Sequence, residues 1–296
     1  NDTTATNTWL DSYPYAAISA FALHPLFINL PKVAGKEYAA QLSSLKKKQK
    51  QLNENSVVDY EEVMKLKNAV LKKLYEVMGK DCFATDDYQE FFSTNRHWLQ
   101  PYAAFCYFRD KYGTSRFEEW KTNSTYNKAA VEKLFANGNT VTRQLGLYCF
   151  IQYHLYLQLK EAVDYAHKKG IVIKGDIPIG IYRYGCDAWV EPELYNMDWQ
   201  AGAPPDDFAA VGQNWGFPTY NWKRMQEDGF AWWKQRFEQM SAYFDAFRID
   251  HILGFFRIWS IPAHSIQGIM GHFVPCVPVH INEFGENGIW FDYQRY

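Results

Sequence analysis

Asp245-Ala246-Phe247-Arg248-Ile249-Asp250-His251 and, upstream, Lys174-Gly175-Asp176-Ile177-Pro178-Ile179 are two short apolar runs that end in charge. Val172, Ile173, Ile177 and Ile179 are spaced for one strand, and Ala246, Phe247 and Ile249 suit another. In a parallel α/β sheet such runs are buried, and the residues at their C-terminal ends face the cleft where ligands bind. A bare aspartate or arginine there is costly unless it is paired. The expected pair is Asp176 with Arg248, which leaves Asp250 free for chemistry. Arg248 and Asp250 stand two apart on a strand, so their side chains leave the same face.

Upstream of Asp176 the chain reads as mostly helical. A helix over about 141–169 ends in Lys168-Lys169-Gly170, with cations in the last turn and glycine just beyond, both stop signals. Ile171 then opens the strand to Asp176, and helix, glycine, buried strand is the join of a β/α repeat. His154 in this helix reads as a packed or hydrogen-bonded histidine, not a ligand. Thr85 before Asp86-Asp87 suits an N-cap with acids in the first turn, and Trp98, Leu99, Tyr102, Phe105, Cys106 and Phe108 make a buried stripe. Between Gly35 and Lys80 two helices are expected. The second carries the apolar stripe Val63, Leu66, Val70, Leu74 and Val77. The first carries Lys46-Lys47-Lys48-Gln49-Lys50, read as a solvated face and not as a patch for an anionic partner. Together they suggest a helical hairpin projecting from the main fold, within a mainly helical subdomain over 35–140. Pro14, Pro25 and Pro31 limit residues 1–34 to loops and short strands, with Ser12, Tyr13 and Tyr15 in a rigid Tyr-Pro-Tyr turn.

Residues 180–222 are rich in Gly, Pro, Asp and Trp. So long a connection is commonly functional or disordered, and its aromatic content argues against disorder. It reads as an ordered active-site loop with Asp206, Gln213, Asn214 and Trp215 as its polar and stacking elements; a loop folded on its own rings is the alternative. A helix over about 231–244 follows, with Trp232, Trp233, Phe237, Met240 and Phe244 facing the core.

Composition narrows the function. The chain has 296 residues, enough for one or two domains with a substantial core. Net charge is −2 with no basic half, which gives nucleic-acid binding little electrostatic support. No apolar run approaches the roughly 20 residues needed to span a bilayer, and nothing resembles a signal peptide. Five cysteines without CxxC spacing fit free thiols in a reducing compartment, so cytoplasm is the expected location. His264, His272 and His280 recur every eight residues without a metal-ligand pattern, so neither a metal nor another cofactor is expected; nucleotide fingerprints are absent too. The 11 Trp, 21 Tyr and 21 Phe, 18% of the chain, are first of all a large aromatic core. Flat apolar faces beside polar groups are also what sugar rings require.

Four phrases stand in the order seen in amylomaltases: Gly175–Ile179, Gly202-Ala203-Pro204-Pro205-Asp206, Gly212-Gln213-Asn214-Trp215-Gly216 and Arg248-Ile249-Asp250-His251. The chain resembles these 4-α-glucanotransferases of glycoside hydrolase family 77 over nearly its whole length. Tyr13-Pro14-Tyr15, Phe21-Ala22-Leu23-His24-Pro25 and the run from His251 to Trp259 resemble the plant cytosolic disproportionating-enzyme branch, which moves glucosyl units from maltose onto glycogen-like polymers. The resemblance implies a (β/α)8 TIM-type α/β barrel with maltose, malto-oligosaccharides and α-glucan polymer as partners. It also implies Asp250 as nucleophile, Arg248 as its partner and Asp176 as the aspartate nearby. Ser12, Tyr15, Asp206, Gln213, Trp215 and His251 become expected sugar contacts, although the turn at Tyr13 is one residue longer than the common bacterial pattern.

Retaining transfer at a sugar carbon needs a carboxylate nucleophile and a second carboxylic acid, roughly 5–5.5 Å apart. A nearby Arg⁺ favours the charged form of the first. The phrases in which the family carries the acid, Glu-Asp-Leu-Gly and a later His-Asp, are not present. Glu283 and Glu286 lie among Gly and Asn in a stretch that reads as loop. The expectation is therefore a barrel present only through its fourth strand, with an exposed edge, residues 263–296 opening an insertion before the second half. The sequence begins at Asn1 without Met, which also suggests a piece of a longer chain, inactive alone. A non-catalytic glucan-binding or complementing subunit is the alternative function. The helical hairpin is a candidate oligomerisation arm for a homo-oligomer.

Overall fold

A computed structural model describes residues 1–43, 45–136, 138, 140–276 and 279–290; the end of the expected insertion, 291–296, lies outside the described residues. The N-terminal half is helical: α1 Leu30–Ala34, α2 Leu45–Asn53, α3 Tyr60–Phe83, α4 Asp86–Tyr112, α5 Lys128–Ala136 and α6 Thr140–Lys168. The C-terminal half mixes β1 Lys174–Ile177, α7 Cys186–Val190, β2 Tyr195–Asn196, β3 Trp199–Ala203, β4 Gln213–Asn214, β5 Thr219–Tyr220, α8 Trp222–Glu227 and α9 Ala231–Ser241. It ends with β6 Ala246–Ile249, β7 Ile258–Pro262, β8 His272–Val274 and α10 Ile281–Glu286.

The two long helices start and stop where local chemistry dictates. The Thr85 hydroxyl accepts from the Tyr88 N–H and opens α4, which Gly113 closes in the left-handed region at φ 71°. Gly170, at φ 72°, lets Ile171 N–H return to the Ala166 carbonyl (3.0 Å) at the end of α6. One face of α4 buries Trp98, Leu99, Tyr102, Phe105 and Phe108 in a core shared with Leu145, Cys149 and Tyr153 of α6. A second cluster joins Val70, Leu71 and Leu74 of α3 to Phe150, Ile151 and Leu155 of α6. Here α3 crosses α6 closely: a Cβ on Gly146 would lie 2.2 Å from the Tyr75 hydroxyl. The expected hairpin is thus only half projecting. α3 is laid along α6, while α2 buries Leu45 alone. On α3, Val77 points to solvent (45% exposed), because the buried stripe drifts with the 3.6-residue turn.

His154 is packed edge-on against Phe150 (4.4 Å between ring centroids), and its Nε2 has no hydrogen-bond partner among the described residues. Burial pulls its pKa down to about 4. The unfolded chain therefore binds a proton between about pH 6.5 and 4 that the folded chain refuses, and stability falls as pH drops through that window. Asp187, which burial pushes up to about 7, acts with the opposite sign. The comparison must therefore be between variants. Wild type is expected to lose up to about 3 kcal/mol more than His154→Leu between pH 7 and 4, measured as urea midpoints. Equal losses would sink the assignment.

β1 and β6 pair in parallel with Asp176 opposite Arg248 and Ile177 opposite Ile249. The strand begins at Lys174; Ile171 and Val172 stay exposed because the turn after Gly170 delays the pairing. β6 is open to solvent at Ala246, Arg248 and Ile249, contrary to the expected burial, because the two-stranded pair has no neighbour on its other edges among the described residues. Among the described residues, this part of the expected partial barrel is the one parallel pair β1-β6. The connection 180–222, expected as loop, carries short elements: β3 is the centre of an antiparallel sheet ordered β4-β3-β7-β8. Gly202 permits this, since a Cβ would fall 2.0 Å from the Gln213 carbonyl oxygen of β4. Glu283 and Glu286 lie in the short helix α10, which starts with a capping box between His280 and Glu283.

Candidate active site

Beyond the C-terminal ends of β1 and β6 lies a pocket of about 300 Å³. The Pro178-Ile179-Gly180 segment after β1 lines it, together with Asp250 and His251 after β6. Trp215 and Phe217 from the β4–β5 connection and Tyr13 and Tyr15 from the N-terminal turn complete the lining. Trp215 stacks on Phe217 (5.9 Å, 23°) and meets the His251 ring edge-on (4.9 Å, 82°). Tyr13 and Tyr15 are 5.5 Å apart and remain 55% and 43% exposed, so their faces are available to a ligand.

Arg248 organises the charged end. Its Nε donates to Asp176 Oδ1 (2.8 Å) and its Nη2 to Asp250 Oδ1 (3.3 Å). Asp250 is therefore not left free, as the sequence suggested; the guanidinium holds both carboxylates, because residues two apart on β6 and directly opposite on β1 share one face. The hydrogen bond and charge of Asp176 raise the Arg248 pKa, with smaller contributions from Asp250 and Tyr15. All three side chains are more than a third exposed, so the cluster adds little to stability. Its effect is to fix direction. The Asp250 N–H is tied in addition to the Ile177 carbonyl (3.1 Å).

His251 takes the left-handed conformation (φ 49°) and turns the chain from β6 into the short helical turn Ile252–Phe255. That turn sets its imidazole against Trp215. Partial burial lowers the His251 pKa against the pull of Asp250. Such backbone in a non-glycine residue is uncommon and concentrates at functional sites.

The structure thus gathers Asp176, Arg248, Asp250, His251, Tyr15 and Trp215. It does not bring Ser12, Asp206 or Gln213 into the pocket lining. Ser12 is exposed at the end of the turn Trp9–Ser12. Asp206 caps its own loop, accepting from Phe208 and Ala209 N–H groups (2.9 and 2.7 Å). Gln213 Oε1 accepts from Trp215 Nε1 (3.1 Å) and so orients that indole. Phe217 and Gly180 were missed by reading the sequence. A Cβ on Gly180 would strike the Phe217 ring at 2.4 Å, and the i, i+2 spacing of Trp215 and Phe217 was the available signal. Among the described residues, no group of three or more His, Cys, Asp or Glu side chains is arranged to hold a metal. Among them, too, no helix is long and apolar enough to cross a membrane.

Comparison with known proteins gives the family and the fold. 4-alpha-glucanotransferase DPE2 of Oryza sativa subsp. japonica is 42% identical over 295 residues, covering 100% of this chain and 31% of that protein. A 4-alpha-glucanotransferase of Chlamydia muridarum is 32% identical over 249 residues, covering 84% of this chain and 46% of its own length. The chain therefore spans about a third to a half of the curated relatives it matches. The amylomaltase from Streptococcus agalactiae solved with acarbose is similar at a TM-score of 0.77 and 28% identity, covering 88% of this chain and 53% of that one. The amylomaltase from Corynebacterium glutamicum shares the fold at a TM-score of 0.68 and 20% identity, over 88% of this chain and 35% of that one. These likenesses bear out the partial α/β barrel expected from the sequence. Residues 2–294 match one family throughout, and the chain belongs to it: the 4-alpha-glucanotransferases, glycoside hydrolase family 77.

Proposed function

We propose that the whole protein is a 4-α-glucanotransferase and that these residues form the nucleophile side of its site. The observation that carries this reading is Arg248 clamped between Asp176 and Asp250 at the end of an aromatic pocket. Asp250 attacks the anomeric carbon of a donor such as maltose; the bond to the leaving glucose breaks, and that oxygen takes a proton from an acid. The 4-hydroxyl of an α-glucan acceptor then displaces Asp250 and gives up its proton. Arg248 holds the carboxylate in line, with Asp176 anchoring Arg248. Tyr15, Trp215 and His251 contact the sugar in the pocket. Gln213 acts through Trp215, and Ser12 and Asp206 serve sugar units beyond it. No cofactor enters.

Asp250 is the one carboxylate that lines the pocket among the described residues. Asp176 is engaged by the Arg248 guanidinium and does not line the pocket. The acid is accordingly assigned to the remainder of the protein, with residues 35–140 as a mainly helical subdomain and 263–296 as the start of an insertion before the second half. The same observation favours the second reading, a glucan-binding or complementing subunit. Five free cysteines support a reducing, cytoplasmic setting, and α2 is the proposed arm of a homo-oligomer.

The test is glucose release from labelled maltose by the full-length protein with glycogen present. Release of glucose with label in the polymer is expected, and this chain alone should release none. Label that stays in free glucose would make the protein a hydrolase. Maltose binding without turnover in the full-length protein would make it a binding subunit.

A further inference from the structure

Behind the pocket wall, α9 buries an arginine that neither the ion-pair cluster nor the aromatic lining uses. Arg236 is 1% exposed. Its guanidinium lies against the indoles of Trp232 and Trp233, 5.3 and 5.0 Å from the ring centroids. The Tyr220 hydroxyl lies beside it without reaching hydrogen-bonding geometry. A cation so deep in a core is costly to keep, so what it touches is informative. Its Nη2 donates to the Pro178 carbonyl (3.0 Å).

Pro178 is the first residue after β1, where the parallel ladder has ended. A proline has no N–H, so its carbonyl is its sole backbone anchor. The residue before it, Ile177, supplies the carbonyl that holds the Asp250 N–H. The residues after it, Ile179 and Gly180, line the pocket. One buried side chain therefore pins the turn from which both the pocket wall and the Asp250 backbone are hung.

Resting on the transferase reading above, we infer that Arg236 is a positioning residue, setting the direction of the Asp250 carboxylate through Pro178 and Ile177 without touching the sugar. Asp250 must meet the anomeric carbon in line, and a misplacement of about 1 Å is enough to cost on the order of 100-fold in rate. Binding of the remote sugar units does not pass through Pro178, so the loss falls on turnover.

The experiment uses the full-length protein as wild type, Arg236→Met, Arg236→Gln and Arg236→Lys. Three quantities are read: kcat and KM for maltose-to-glycogen transfer, hydrogen exchange at the Asp250 amide, and Tm. Arg236→Met and Arg236→Gln are expected to lower kcat by roughly 10- to 100-fold with KM nearly unchanged. Exchange at the Asp250 amide should accelerate in both. Arg236→Lys can still donate to the Pro178 carbonyl and should recover most of kcat and protection. If Arg236→Met does not fold, Arg236→Gln carries the same expectation. The inference is overturned if a folded Met or Gln variant keeps wild-type kcat and Asp250 protection. It is equally overturned if all three variants lose kcat in step with Tm alone. Should wild type itself transfer nothing, the transferase reading has failed, and exchange at Asp250 still decides whether Arg236 holds this turn.

Discussion

Asp250→Asn is expected to lower transfer by the full-length protein roughly 10⁴-fold or more, the scale of removing a covalent nucleophile. Asparagine has nearly the same shape, and the backbone bond from residue 250 to the Ile177 carbonyl survives. Arg248 also keeps its 2.8 Å contact with Asp176, so the pocket should persist. Stability should move by no more than about 1 kcal/mol, because the Arg248–Asp250 pair is exposed to water. A sharper form of the experiment uses α-glucosyl fluoride, whose leaving group needs little help from an acid. Displacement of fluoride by the Asp250 carboxylate forms the glycosyl–enzyme without the partner that maltose requires. This chain alone should then release about one fluoride per molecule in a burst, and Asp250→Asn should release none. A burst that survives in Asp250→Asn would assign the nucleophile elsewhere.

The two strands with their charged ends were legible because their signals are local. Alternating apolar residues, a glycine stop before β1 and a two-residue spacing from Arg248 to Asp250 all lie within a few positions of one another. What Arg248 touches was less legible. Reading gave it Asp250 two residues on along the same strand and Asp176 across the sheet; the second contact depends on the register of β1 against β6, and that one guanidinium holds both carboxylates at once shows only in the fold. Periodicity also overstated burial on β6. Whether Ile249 is covered depends on the strands beside it, and the described residues supply β1 alone. The connection 180–222 was read as loop because its strands are two to five residues long, too short to show alternation. The partner of β3 on its other side, β7, lies far along the chain, and Gly202, which lets β4 approach β3, carries no side chain to announce it. Gln213 and Asp206 were chosen by motif. Only the fold separates a side chain that orients Trp215 from one that caps its own turn.

Arg236 shows the same limit from the other side. In the sequence it is one cation on an amphipathic helix beside two tryptophans. Burial at 1% exposure and the bond to Pro178 are what distinguish it from a solvated arginine. The site thus divides into groups that meet the sugar, readable by motif, and groups that hold those in place, which appear only once the chain is folded.

Trp120→Ala is the core substitution expected to cost most. Trp120 is fully buried, and its ring lies 5.0 Å from Phe105, 5.7 Å from Trp189 and 5.9 Å from Phe108, with Tyr112 and Phe117 completing the surround. Its Nε1 donates to the Thr114 carbonyl (2.8 Å). Removing the indole leaves a cavity among five rings and strips that carbonyl of its donor, for a loss of about 3–5 kcal/mol. A loss of this size is a large part of the roughly 5–15 kcal/mol that holds a domain together. The damage should extend past α4. Trp189 is carried by α7, which follows β1, and its own Nε1 reaches the Asn123 carbonyl (3.0 Å) just beyond Trp120. Trp120 therefore connects the helical half to the half that carries the pocket. Trp120→Phe keeps a ring but not the donor and should lose less, about 1–3 kcal/mol. Urea midpoints of the three proteins measure the series, with the m-value constant. A loss below about 1 kcal/mol for the alanine variant would mean that these rings pack around Trp120 without depending on it.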